Sequence, residues 1–180
     1  MLAQRFAVLG SALVWSGCKG DGADLSSGER SVEDYLPLNG SSWTWRDDGL
    51  DADPDQASLL HARGEAGGEV GIRRGSRWAD GVDIGSLRFD LSAGLELAAW
   101  ELAEGSGASG RQLAPAVVQN GSRVGSGDRA CMSALGVEYE TFYAVFDRTL
   151  VIRCEGARFP GGTWVFADGV GLVAVDAVGF

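Results

Sequence analysis

Three thiols, one imidazole and one dense run of carboxylates are the side chains from which a reactive site in this sequence would have to be built. His61 is the only histidine. It sits in the run ASLLHARG, and no G-x-S-x-G turn exists to present a nucleophile to it, so it reads as a structural histidine. Asp47, Asp48, Asp51, Asp53 and Asp55 offer hard oxygen ligands, and Asp51, Asp53 and Asp55 are the candidates for Ca²⁺. A calcium loop beginning at Asp51 would need glycine at Gln56 and glutamate at Ala62, and a solvated turn is the competing account. Gly105 to Gly110 (GSGASG) matches G-x-G-x-x-G, but a dinucleotide site needs a helix after it. Arg111 to Pro115 offers none, so the run reads as a flexible loop. Arg73, Arg74 and Arg77 beside Trp78 form a basic–aromatic patch, suited to an anionic group or to the solvent face of a strand. Glu138 and Glu140 share a strand face, as carboxylates on sheet surfaces often do by chance. With no H-E-x-x-H, C-x-x-C or phosphate loop, the expectation is a non-enzymatic protein without a cofactor.

The thiols carry more information. Ahead of Cys18, Arg5 is the one charged residue, and Phe6 to Trp15 form an apolar stretch broken only by Gly10 and Ser11. That is the layout of a secretory signal, too short to remain as a spanning helix. Ser16-Gly17-Cys18 resembles a bacterial lipobox, with Trp15 standing where an aliphatic residue is usual. The resemblance implies diacylglyceryl transfer to the Cys18 thiol and cleavage before it; the other reading is a plain signal cut elsewhere. Several acyl chains at about 0.8 kcal/mol per buried CH₂ would make the anchor permanent. Lys19 follows the cysteine, and by resemblance to the lipoproteins of two-membraned bacteria this points to the outer membrane.

Removal of residues 1–17 leaves about 160 residues, a single domain's worth. The net charge of −10 argues against nucleic acid as partner. If Cys18 is lipidated, Cys131 and Cys154 remain, and in an oxidising compartment the simplest fate for two thiols is a disulfide; two separate buried thiols are the alternative. Closing that loop would stabilise the fold by about 3 kcal/mol on the chain-entropy model.

The elements that must position any site read as strands. Residues 18–34 are polar, Gly/Ser-rich and aperiodic, a flexible tether for a lipid-anchored domain spanning 35–180. SSWTWR alternates, with Trp43 and Trp45 on one face. LRFDL leads into a turn at Ser92-Ala93-Gly94, and Leu95 to Leu102 returns either as a helix or as a strand with a bulge at Ala98-Ala99; the hairpin partner favours the strand. VEYETFYAVF and RTLVIRCEG are rich in β-branched and aromatic residues, and TWVFADGVGLVAVDAV is a hairpin turning at Asp168-Gly169. The expected fold is all-β: a single antiparallel meander, a closed or half-open barrel or curved sheet, following an N-terminal signal helix and the tether.

Tyr35-Leu36-Pro37-Leu38 with Gly40-Ser41-Ser42-Trp43-Thr44-Trp45, and the close from Gly162 to Val173, resemble the two ends of a group of bacterial lipoproteins of unassigned activity. Those begin Y-x-P-L…G-x-x-W and finish in a W-x-A-x-G-V-G-x-V hairpin; Asp168 stands where they commonly carry proline. The resemblance implies a β-rich envelope lipoprotein, membrane-bound through Cys18, and no reaction. Two roles are compatible with it. One is a binding or structural module for an envelope protein or polymer, which should expose an aromatic patch. The other is a carrier or chaperone whose curved sheet encloses a lipid or other apolar ligand, with Trp43, Trp45 and Trp164 facing a cavity.

Overall fold

The computed structural model describes residues 6–9, 28–36, 42–47, 56–64, 67–74, 82–102, 105–140, 145–156 and 159–177. Sixteen strands lie among them, and no α-helix does. The first group is β1 (Phe6–Leu9), β2 (Arg30–Ser31), β3 (Ser42–Asp47), β4 (Gln56–Gly64), β5 (Gly67–Arg74), β6 (Val82–Asp90), β7 (Gly94–Leu102) and β8 (Gly105–Pro115). The second is β9 (Val117–Val118), β10 (Arg123–Val124), β11 (Cys131–Leu135), β12 (Tyr139–Glu140), β13 (Val145–Phe146), β14 (Thr149–Cys154), β15 (Gly162–Ala167) and β16 (Gly171–Ala177). They build a seven-stranded sheet in the order β1-β3-β4-β5-β6-β7-β8 and a five-stranded sheet in the order β10-β11-β14-β15-β16. Successive strands pair antiparallel, so the all-β meander is what the chain forms, and its sheets are open.

The β6–β7 hairpin turns where Ser92-Ala93-Gly94 predicts. Gly94 has φ +124°, and a Cβ there would lie 2.5 Å from the Ala114 carbonyl oxygen, so the position requires glycine. Asp90 Oδ1 accepts from the backbone N–H of Ser92 at 2.7 Å and from its hydroxyl at 2.5 Å, fixing the turn. Arg88 pairs with Ala99 and Phe89 with Leu97, which leaves Ala98 as the bulged residue of a strand, not part of a helix. The β15–β16 hairpin also forms as read, with Arg148 and Asp168 in an ion pair of 2.5 Å beside its turn.

One core holds the two sheets together. Val70, Leu87, Phe89, Leu95, Leu97 and Leu113 of the larger sheet pack in one cluster with Leu150, Ile152, Trp164, Phe166, Leu172 and Val175 of the smaller. Phe89 is the aromatic hinge of that contact, edge-on to Trp164 at 6.3 Å and to Phe166 at 5.9 Å. In β14, β15 and β16 consecutive residues are buried, which is why TLVI, WVFA and LVAV read as continuous apolar runs. Cys131 and Cys154 face each other on adjacent strands and are joined by a disulfide.

Three expectations are corrected. Phe6–Leu9 is extended and pairs with β3, where a signal helix was expected; a four-residue apolar run suits either conformation, and pairing satisfies its backbone. Arg30 to Asp34, read as the end of a flexible tether, are structured instead: β2 pairs with β9, and a 3₁₀ turn at Val32–Tyr35 buries Val32 and Tyr35. Within VEYETFYAVF, Tyr139–Glu140 and Val145–Phe146 pair with each other. Gly105 to Gly110 is no loop but the first half of β8, paired with β7.

Candidate functional site

The register of β5 to β8 brings together residues that are far apart in sequence. Glu69, Arg88, Ala99 and Ala108 are successive cross-strand partners, and so are Gly71, Ser86, Glu101 and Ser106. Between these two rows lies a third, Val70, Leu87, Trp100 and Gly107. Because side chains alternate along a strand, the outer two rows share one face and the middle row points to the other. Val70 and Leu87 are buried on that other face, so the outer rows face solvent.

An open trough of about 380 Å³ lies there, lined by Glu69, Ser86, Arg88 and Glu101 with Trp100 and the small residues of β7 and β8. Its depth has a simple cause. Ala99, Ser106 and Ala108 are short, while Glu69, Arg88 and Glu101 are long and exposed, so long side chains wall a low floor. Two carboxylates and one guanidinium make it mixed in sign, with acid in excess. Among the described residues none of these three is held in an ion pair, so their polar heads stay available to a ligand. On the inner face Trp100 lies over the glycines of β8: a Cβ at Gly107 would approach the indole Nε1 to 3.1 Å. The half-buried indole continues inward through Phe159, with ring centroids 4.9 Å apart, to Trp164 at 5.6 Å.

A second polar cluster ties β8 to the smaller sheet. Arg111 is 5% exposed, and its Nη2 donates to the carbonyls of Glu155 at 2.6 Å, Asp128 at 3.3 Å and Ala130 at 3.4 Å. Arg129 reaches the opposite way, donating to the carbonyls of Ser109 and Gly110 at 3.3 Å. Burial first, and the Arg129 cation second, lower the pKa of Arg111 below the ordinary guanidinium value. These contacts flank the disulfide, and they are structural: every acceptor is backbone.

Comparison with protein-family models, curated proteins and solved structures finds no match to this chain.

The residues singled out by sequence are scattered. Trp164 is fully buried between Phe89 and Phe159, and its indole N–H donates to the Pro160 carbonyl at 3.1 Å, so it fills core. Trp43 and Trp45 lie in β3, opposite Leu59 and Ala57 of β4. His61 pairs with Val70, and Arg73 with Asp83. Cys18, Asp51, Asp53, Asp55, Arg77 and Trp78 lie outside the described residues. The large hydrophobic side chains exposed among the described residues are Val117, Met132, Val137 and Val145; the aromatic patch expected of a binding module is not among them. Sequence reading passed over Glu69, Arg88, Trp100 and Glu101. The alternation in LRFDL already sets Arg88 on the face opposite Leu87 and Phe89, but only pairing reveals its neighbours.

Proposed function

We propose that this chain is a cell-envelope lipoprotein, held at the outer membrane by diacylglycerol on Cys18, that works as a non-enzymatic binding module through the outer face of β5 to β8; cleavage before Cys18 would remove β1 and leave β3 as the far edge of the larger sheet, away from that face. The trough carries the reading: exposed, unpaired charged heads over a small-residue floor suit a polar, extended ligand, an envelope protein segment or polymer. The lipobox-like SGC and the likeness of both chain ends to bacterial lipoproteins support the location. A carrier for apolar molecules needs open volume beside its aromatics, and Trp164, with Phe89, Phe159 and Phe166 around it, leaves none at its ring. That tells against Trp164 as a cavity wall, and the charged trough, in place of an exposed aromatic patch, supports the binding module.

Two measurements test this. Replacing Cys18 with serine should remove the acyl mass and release the protein from membranes; unchanged mass and membrane association refute the anchor. Native purification of the wild type and of an Arg88→Ala/Glu101→Gln variant, followed by mass spectrometry, should show a bound component lost from the variant. An identical set of co-purifying components in both refutes the trough as the binding face.

A further inference from the structure

Resting on the trough as the binding face, we propose that its ligand is an extended peptide, alternating basic and apolar residues, that adds to the sheet as a strand along the free edge of β8. β8 is the last strand of the seven-stranded sheet, so among the described residues one side of its backbone has no strand partner. The free stretch has a defined end. From Ser109 the edge is closed, with Arg129 capping the carbonyls of Ser109 and Gly110 and Arg111 buried against the second sheet. Gly105 to Ala108 precede that closure and lie at the surface. Sheet edges are usually guarded by lysine, proline or a bulge that turns pairing away. Gly105, Ser106, Gly107 and Ala108 carry no lysine or proline, only small uncharged side chains, and the irregularity of β8 comes after them, at Ser109 and Gly110.

The two faces beside this edge offer different contacts, and strand addition reads alternate side chains separately. On the solvent face, Glu101 pairs with Ser106, so a side chain arriving at the edge looks across a short hydroxyl to a carboxylate. The distance is two strand spacings, about 10 Å, which an extended lysine or arginine and the glutamate span between them. On the opposite face, Gly105 and Gly107 leave the Trp100 indole uncovered by any intervening side chain; its ring carbons would lie 3.6 Å from a Cβ at Gly105. An apolar side chain there packs against the ring edge. The basic choice also suits a chain of net charge −10. A second copy of the same edge is the poorer occupant, because Gly-Ser-Gly-Ala brings neither a cation for Glu101 nor an apolar group for Trp100.

The test uses the full processed chain and a capped seven-residue peptide alternating valine and lysine, with a partner peptide N-methylated at alternate residues. The inference expects binding by titration calorimetry, slowed amide exchange within Gly105 to Ala108 and quenched or shifted Trp100 fluorescence. The N-methylated peptide should not bind, Glu101→Gln should weaken binding about fivefold, and Ala108→Lys should abolish it. Equal binding of the N-methylated peptide, or no effect of Glu101→Gln, overturns strand addition. Binding of a neutral N-acetylglucosamine oligomer that is lost in Arg88→Ala, with no binding of either peptide, overturns the peptide while the trough reading stands. Concentration-dependent dimerisation that Ala108→Lys prevents makes the edge a self-contact and overturns the inference as well. If neither probe perturbs Arg88 or Glu101, both readings fall.

Discussion

Replacing Arg111 with methionine tests whether its guanidinium locks the two sheets. Methionine keeps an unbranched apolar stem of similar length, so the substitution removes donors more than packing. Three carbonyls lose a donor, at 2.6, 3.3 and 3.4 Å, though that of Ala130 keeps the Glu155 backbone N–H at 2.8 Å. Hydrogen bonds from a charged group contribute about 1.5–3 kcal/mol each, and only the contact to Glu155 is short. Counting that one in full and the two long ones together as one weak bond gives a gross stabilisation of about 2–4.5 kcal/mol. Against this stands the cost of burying a cation, visible in the lowered pKa of Arg111 and in its Nε, which has no partner. The net expectation is a loss of about 1–3 kcal/mol for Arg111→Met, the two effects opposing. Urea unfolding of the oxidised protein at pH 7, followed by tryptophan fluorescence, measures it, with an unchanged m-value as the check that the unfolded state is unaltered. Arg111→Lys should recover a minority of the loss, because one ammonium on a flexible stem cannot reproduce the planar fork. A loss below about 0.5 kcal/mol, or a gain, would refute the lock and show that desolvation cancels the hydrogen bonds.

Paired replacement of Cys131 and Cys154 by alanine should cost about 3 kcal/mol in the same assay, from the loop of 23 residues that the bond closes; a loss under 1 kcal/mol would count against the chain-entropy account. Tyr35 is raised above its ordinary value of 10.0 by burial first and the Asp168 carboxylate second. The folded state therefore holds its proton longer than the unfolded one, so the contribution is complete below pH 10 and fades as pH climbs through the folded-state value. Unfolding free energy should fall across that alkaline window in the wild type and less in Tyr35→Phe; parallel pH profiles would contradict the assignment. Gly107→Val places a Cβ 3.1–3.3 Å from three indole atoms of Trp100, so it should destabilise by about 1–3 kcal/mol and shift the tryptophan emission; an unaltered spectrum would show the ring to be elsewhere.

Local signals were legible and pairing was not. The turn at Asp168-Gly169 and the alternation on either side of it are written within a few residues, so the β15–β16 hairpin could be read directly. The bulge at Ala98 was legible for a related reason: Leu95 and Leu97 set one alternation, Trp100 and Leu102 another, and a single extra residue reconciles them. Gly105 to Gly110 has the composition of a linker, and it is held as a strand by pairing with β7 and by the Trp100 ring against its glycines. Arg30–Ser31 pairs over only two residues, too few to leave a pattern, yet it draws Val32 and Tyr35 into the core. Trp164 looked like a ligand contact because tryptophan suits cavities and cores equally, and sequence carries no sign of which.

The same physics explains why the candidate site lies on the larger sheet. β14, β15 and β16 have runs of consecutive buried residues, so among the described residues they expose little to a ligand. β5 to β8 bury Val70, Leu87, Phe89 and Leu97 on one side, and on the other show Glu69, Arg88 and Glu101. Folding demands little of that second face, since any polar residue keeps it soluble, yet it is furnished with short side chains toward the edge and charged ones behind. Short residues next to an unpaired strand lower the barrier to another backbone approaching, and soluble proteins ordinarily place charge there to prevent it. Here the charge is set back by one strand, at Glu101, where it attracts a cationic side chain without blocking the edge. Moving that carboxylate one strand outward, by Ser106→Glu with Glu101→Gln, would keep the net charge and the fold while closing the edge. Retained peptide binding by that variant would mean that charge alone, and not the backbone edge, holds the ligand.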